Sequence, residues 1–186
     1  MDIHRHGTGR RLQSAVTVLE LLVTLSIAGI LLVTGVPSLQ QFSWNQQIKA
    51  AVTGLHSDLL MARSEAVHRN LQVIACPGDP QAGCDGSSDW SAGWIVFADD
   101  SGDRQRQNGE RLVRHGQGFD HLAVTGSAGR SEVRFYPDGS TPGSNGSIAF
   151  CNLGGPPSAR RLIISNLGRI RRERYPGIDP ARCPTG

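Results

Sequence analysis

An α+β fold is predicted: a long N-terminal helix packed against an antiparallel, β-sandwich-like head. Three observations predict it. Residues 16–36 form a 21-residue apolar run with one charge, Glu20. Beyond it, apolar residues continue at near-helical spacing to Asn70, with Gln, Lys, Asp and Arg between them. From Leu71 the chain changes to short apolar segments divided by Gly, Pro, Asp and Ser, the texture of strands and turns. A chain of 186 residues has room for one ordinary domain plus an appended segment. At 38% hydrophobic and 19% charged, it is too apolar to be disordered.

Residues 1–15 read as a leader, carrying Arg5, Arg10 and Arg11 against Asp2. The run at 16–36 is long enough, at about 1.5 Å per residue, to cover the ~30 Å core of a bilayer. Basic residues before an apolar run orient the leader to the cytoplasm and everything after the run outward. A plain cleaved signal is the weaker reading, because its apolar region is shorter and no Ala-x-Ala site follows this one. Pro37 removes a helical hydrogen bond and is expected to kink the helix. Residues 37–70 continue it as an amphipathic helix through Phe42, Ile48, Val52, Leu55, Leu59, Leu60 and Ala66, with Asn70 at its end. A helix from Val16 to about Arg69 is roughly 80 Å long.

Strands are expected at 71–76, 93–98, 111–114, 121–124, 132–136, 147–151, 162–165 and 169–172, within a β-rich head spanning 71–174. Residues 175–186 read as a loose tail. All four cysteines, Cys76, Cys84, Cys151 and Cys183, lie beyond the apolar run, in the part expected to be exported. Two disulfides are expected, with three pairings open. Cys76–Cys84 and Cys151–Cys183 are favoured, since each joins a strand to a nearby loop or tail. The spacings suit no zinc site, and no metal or cofactor is expected. His56, His68, His115 and His121 are scattered, with no nucleophile context, so no catalytic set and no enzyme is expected. The acidic stretch from Asp99 to Asp103, with Asn108 and Glu110, lacks EF-hand spacing and reads as a solvated turn.

Glu20 stands out, because a carboxylate inside a membrane helix is costly without a partner. Its setting, Ala15-Val16-Thr17-Val18-Leu19-Glu20 and the apolar residues after it, resembles the type III signal of type IV pilins and pseudopilins. That resemblance implies cleavage between Ala15 and Val16 by a prepilin peptidase and methylation of the new N-terminus. It also implies that Glu20, fifth in the mature chain, pairs with the N-terminal amine of a neighbouring subunit during assembly. Two residues depart from the family pattern: Ala15 stands where Gly is usual, and Val16 where Phe is usual. The Ala62-Arg63-Ser64-Glu65-Ala66 run, Gly93-Trp94-Ile95-Val96-Phe97 with Asp99, Phe135-x-Pro137-x-Gly139, and Gly168-Arg169 are similar to the GspH/FimT group within that family. Membership implies a subunit anchored by one pass in the inner membrane, its head in the periplasm, incorporated with other pilins or pseudopilins into a filament.

The C-terminal part carries the ligand signal. Between residues 160 and 174 lie Arg160, Arg161, Arg169, Arg171, Arg172 and Arg174 against Glu173, a local charge of +5 in a chain totalling +3. The segment reads as a hairpin turning at Asn166-Leu167-Gly168. Arg169 and Arg171 then project from one face, about 6.6 Å apart, with Ile170 on the other. Guanidinium forks in such a row can hold successive phosphates. Gly168, Arg169 and Arg171 also match the Gly-Arg-x-Arg stretch of FimT-like minor pilins, which implies DNA binding for uptake in natural transformation. The alternative is a structural minor pilin or a type II secretion pseudopilin with no DNA ligand, its arginines guarding a strand edge or meeting an acidic subunit.

Overall fold

The computed structural model describes residues 17–153 and 159–174, the side chains of 33–38 and 41 excepted. Helix α1 spans Val18–Arg69. It starts two residues later than expected because Thr17 caps it: the Thr17 Oγ1 accepts the Glu20 N–H at 3.2 Å. Glu20 therefore occupies the third helical position of a Thr-x-x-Glu sequence, where a carboxylate meets the positive end of the helix. The other end closes at Asn70, whose φ of 55° is left-handed. The Leu71 N–H then reaches back to the Ala66 carbonyl at 3.3 Å, the Schellman arrangement.

The chain forms two compact units, Met1–Gln40 and Gln41–Gly186. In the first, Val18, Leu19, Leu21, Leu22, Ile27, Ile30 and Leu31 are all exposed, so the helix there is apolar around its whole circumference. Among the described residues no helix is long and apolar enough to cross a membrane. The stretch 18–32, where side chains are described, covers about 22 Å of a ~30 Å bilayer core. Ala15 and Val16 lie outside the described residues, as do the tail 175–186 and the side chain of Pro37.

The second unit holds two antiparallel sheets and the latter part of α1. Its strands are β1 (Gln72–Asp79), β2 (Gly83–Cys84), β3 (Gly93–Asp99), β4 (Leu112–Gln117), β5 (Leu122–Gly126), β6 (Val133–Phe135), β7 (Gly146–Asn152), β8 (Ala159–Ile164) and β9 (Ile170–Arg174). One sheet runs β2-β1-β3-β4 with β6 also paired to β1; the other runs β5-β7-β8-β9. Every expected strand is present with its ends moved by at most three residues, and β2 is an addition. Arg169 falls in the turn rather than in β9, since its backbone N–H bonds the Ser165 hydroxyl at 3.2 Å and its carbonyl the Ser165 N–H at 3.1 Å.

The core lies between α1 and the two sheets. Ile48, Val52, Leu55, Leu59, Ala62 and Ala66 form one stripe of the helix, packed against Val73, Ala75, Trp94, Val96 and Phe135 of the first sheet and Val124, Phe150, Leu162 and Ile164 of the second. Phe42 and Leu60, expected on that stripe, are instead exposed. The first sheet is buried on its far side too, by Ile74, Cys76, Ile95 and Phe97, with Cys84 and Leu112 against them. The Cys76–Cys84 disulfide ties β1 to β2 there. None of the described cysteines is free, and Cys151 is disulfide-bonded as well; Cys183 lies outside the described residues.

Candidate nucleic-acid interface

Strand alternation divides the arginines of the β8–β9 hairpin between two faces. Ile164 pairs with Ile170, Leu162 with Arg172 and Arg160 with Arg174, so Arg160, Arg172 and Arg174 share the face whose apolar members meet α1. On the opposite face Ile163 pairs with Arg171 and Arg161 with Glu173. Arg161 is bound there, its Nε donating to Glu173 Oε2 at 2.6 Å. Arg169, in the turn, and Arg171 are exposed, and their side chains make no hydrogen bond or ion pair among the described residues. Arg171 thus lies on the face opposite Arg160, Arg172 and Arg174, while Arg169 stands in the turn before the strand rather than in a strand row with it.

The turn that carries Arg169 is fixed by its glycine. Gly168 has φ +70° and lies against the Gly139 carbonyl so closely that a Cβ would overlap it. Gly139, of the Phe135-x-Pro137-x-Gly139 stretch, has φ +75° and abuts Arg63 and Val67 of α1. Thr141 joins the two turns: its N–H donates to the Asn166 carbonyl at 2.8 Å, and its hydroxyl to the Ser165 carbonyl at 2.7 Å. Arg63 completes the corner by donating to the Leu167 carbonyl at 3.4 Å. Gly168 is thus a packing residue that aims its neighbour, not itself a contact surface.

Three residues of α1 that the sequence does not group with the hairpin line up beside β9. Lys49 borders a cleft of about 310 Å³ with Val52, Thr53, Arg160, Arg172, Glu173 and Arg174. His56 meets the Ile170 backbone and feels the charge of Arg172. Arg63 reaches the turn. Seven residues separate each from the next, so they lie along one side of the helix. Only knowledge that β9 runs antiparallel beside this stripe reveals the grouping. Burial, and secondarily Arg172, hold the His56 imidazole below its ordinary value. The unfolded chain therefore binds the proton more readily than the fold, and stability is expected to fall as pH drops below about 6.5. Urea unfolding at stepped pH should show this component in the native chain and lose it in His56→Gln.

Residues 100–105 of the acidic loop are exposed, as a solvated turn would be, but the two carboxylates that flank them are not. Asp99 and Glu110 are buried. Glu110 accepts the Ser101 N–H at 3.0 Å and the Gln107 N–H at 2.9 Å, while Asp99 accepts the Gly102 N–H at 2.9 Å and the Gln72 amide at 3.1 Å. The two carboxylates hold the loop's backbone. Among the described residues no group of three or more His, Cys, Asp or Glu is placed to hold a metal.

The chain matches the family described as type II transport protein GspH over residues 51–168. That span ends at Gly168, so Arg169–Arg174 of the hairpin lie beyond it. Among solved structures, the type IV minor pilin FimU of Pseudomonas aeruginosa strain PAO1 is similar in two crystal forms. In the P21 form it is 21% identical with a TM-score of 0.54, the match covering 77% of this chain and 97% of FimU. In the P65 form it is 22% identical with a TM-score of 0.51, covering 74% and 97%. No curated protein matches the chain.

Proposed function

Since this chain belongs to the GspH family of type II transport proteins, we propose that it is a minor pilin of a type IV filament that binds DNA through its arginine hairpin for uptake in natural transformation. In this reading the precursor is cut between Ala15 and Val16 by a prepilin peptidase and its new N-terminus methylated. The mature chain sits in the inner membrane by residues 16–36 with its head in the periplasm, then enters a filament of pilins. Glu20, at the start of α1, pairs with a neighbour's N-terminal amine. Cys151 pairs with Cys183, tethering the tail to β7. The protein acts as a structural and binding subunit, not an enzyme.

One observation carries the DNA reading: Arg169 and Arg171 stand exposed and unpaired among the described residues on an edge strand and its turn, while the one carboxylate of the hairpin, Glu173, is occupied by Arg161. Arginines that only guarded the edge would be served as well by ion pairs. Phosphate contacts make affinity steeply salt-dependent and only weakly sequence-dependent. With four or five phosphates engaged, the logarithmic slope of affinity against salt is expected near about −4. The test is a titration of the full chain in nonionic detergent with duplex DNA at several salt concentrations, beside an Arg169→Gln/Arg171→Gln variant. Loss of two contacts should reduce the slope by about 2 and weaken binding tens of fold near 0.1 M salt. No binding at low salt, or equal binding by the variant, would leave the alternative of a structural minor pilin or secretion pseudopilin.

A further inference from the structure

We infer that Lys49 and Thr53 of α1 complete a second phosphate subsite with Arg160, Arg172 and Arg174, so that a DNA backbone lies along the seam between α1 and β9. The inference rests on the DNA reading above and extends it from the outer face of the hairpin to the helix.

Charge placement is the first ground. Arg160 and Arg174 are direct partners across the β8–β9 ladder, and Arg172 follows two residues away on the same face. Like charges directly opposite one another destabilise a sheet. Lys49 adds a fourth cation from across the cleft. None of the four makes a side-chain hydrogen bond or ion pair among the described residues. Glu173 touches the cleft, but its carboxylate is held by Arg161 on the other face. A cleft of about 310 Å³ walled by four such cations is complementary to an anion.

The second ground is the length of the stripe. Lys49, His56 and Arg63 span 14 residues of helix, about 21 Å, which is the axial length of about six base pairs. β9 follows the same line: Arg172 and Arg174 lie toward Lys49, Ile170 lies at His56, and the turn lies at Arg63. An acidic peptide would bring apolar side chains in need of pockets, yet among the described residues Val52 is the one apolar residue lining the cleft. A regular polyanion needs only the charges of Lys49, Arg160, Arg172 and Arg174.

Lys49 is the chain's only lysine, which makes the inference directly testable. An amine-acylating reagent applied to the full chain in nonionic detergent reads this one side chain, located by peptide mass spectrometry. Saturating duplex DNA at low salt should slow Lys49 acylation severalfold. Lys49→Gln should weaken DNA binding roughly fivefold to tenfold near 0.1 M salt and reduce the salt slope by about 0.9. If DNA binds, and binding is lost with Arg169→Gln/Arg171→Gln, but Lys49 keeps its acylation rate and Lys49→Gln its slope, the seam is overturned and the hairpin reading stands. If polyglutamate protects Lys49 as well as duplex DNA does, the cleft is a carboxylate site and the phosphate assignment is overturned. If the native chain binds no duplex at any salt, both fall together.

Discussion

Replacing Gly168 by alanine is expected to destabilise the head by about 2–5 kcal/mol, a large share of the roughly 5–15 kcal/mol that holds a typical domain folded. Two costs add. A non-glycine residue held at the φ of +70° found here carries a backbone penalty of about 1–2 kcal/mol. The new methyl would also overlap the Gly139 carbonyl and press on the Arg63 guanidinium. Neither turn can withdraw, because Thr141 binds both Asn166 and Ser165. Gly129 provides the control: its φ is +72°, but no heavy atom lies within 4 Å of where its Cβ would be. Gly129→Ala should therefore show the backbone penalty alone, about 1–2 kcal/mol. Urea unfolding of the two variants measures the difference, and equal losses would mean that the Gly139 contact yields without cost.

The comparison matters for function because Gly168 and Arg169 are adjacent in the same short stretch. Arg169→Gln removes an exposed side chain with no partner among the described residues, so its effect on stability should stay within about 0.5 kcal/mol. A DNA-binding defect in Gly168→Ala would then reflect a displaced turn, and one in Arg169→Gln a lost contact. Stability measured beside affinity separates the two.

How much of this was legible in the sequence depends on the range of the interaction involved. The helix and strands were, because their periodicities of 3.6 and 2 are local. The stripe Ile48-Val52-Leu55-Leu59-Ala66 follows from spacing alone. Phe42 and Leu60 share the pattern yet lie exposed, since spacing does not show where the sheets stop covering the helix. Glu20 reads as a charge inside an apolar run, which hides the Thr17 cap that places it in the first turn, although Thr-x-x-Glu is a local signal. The arginine cluster is visible as composition. Its division into two faces needs the start of β9, and a shift of one residue moves every side chain to the other face. Lys49, His56 and Arg63 stand far from β9 along the chain, and no local pattern links them to it. Asp99 and Glu110 look like solvated acids because half of their hydrogen bonds come from backbone N–H groups, which a sequence does not display.

Trp94 should give the other large effect, because it fastens the first sheet to the helix in two ways. Its indole is buried, and its Nε1–H donates to Asp58 Oδ2 of α1 at 2.9 Å. Its ring lies over Gly116, its register partner on β4, and near Phe119 at 5.9 Å between centroids. Trp94→Ala is expected to cost about 3–5 kcal/mol, as for other large aromatics removed from a core. Trp94→Phe keeps most of the ring but not the donor, and leaves the Asp58 carboxylate without that hydrogen bond. A bond to a charged group contributes about 1.5–3 kcal/mol, so the phenylalanine variant should fall between native and alanine. The glycine opposite gives an independent check. A Cβ at Gly116 would run into the indole ring, so Gly116→Ala should be strongly destabilising in the native chain and much less so in the Trp94→Ala background. The double-mutant cycle should return a coupling of about 1–3 kcal/mol for this contact pair. Additive losses would show that β4 can move away from the ring, and that the Gly116 contact does not fix the indole.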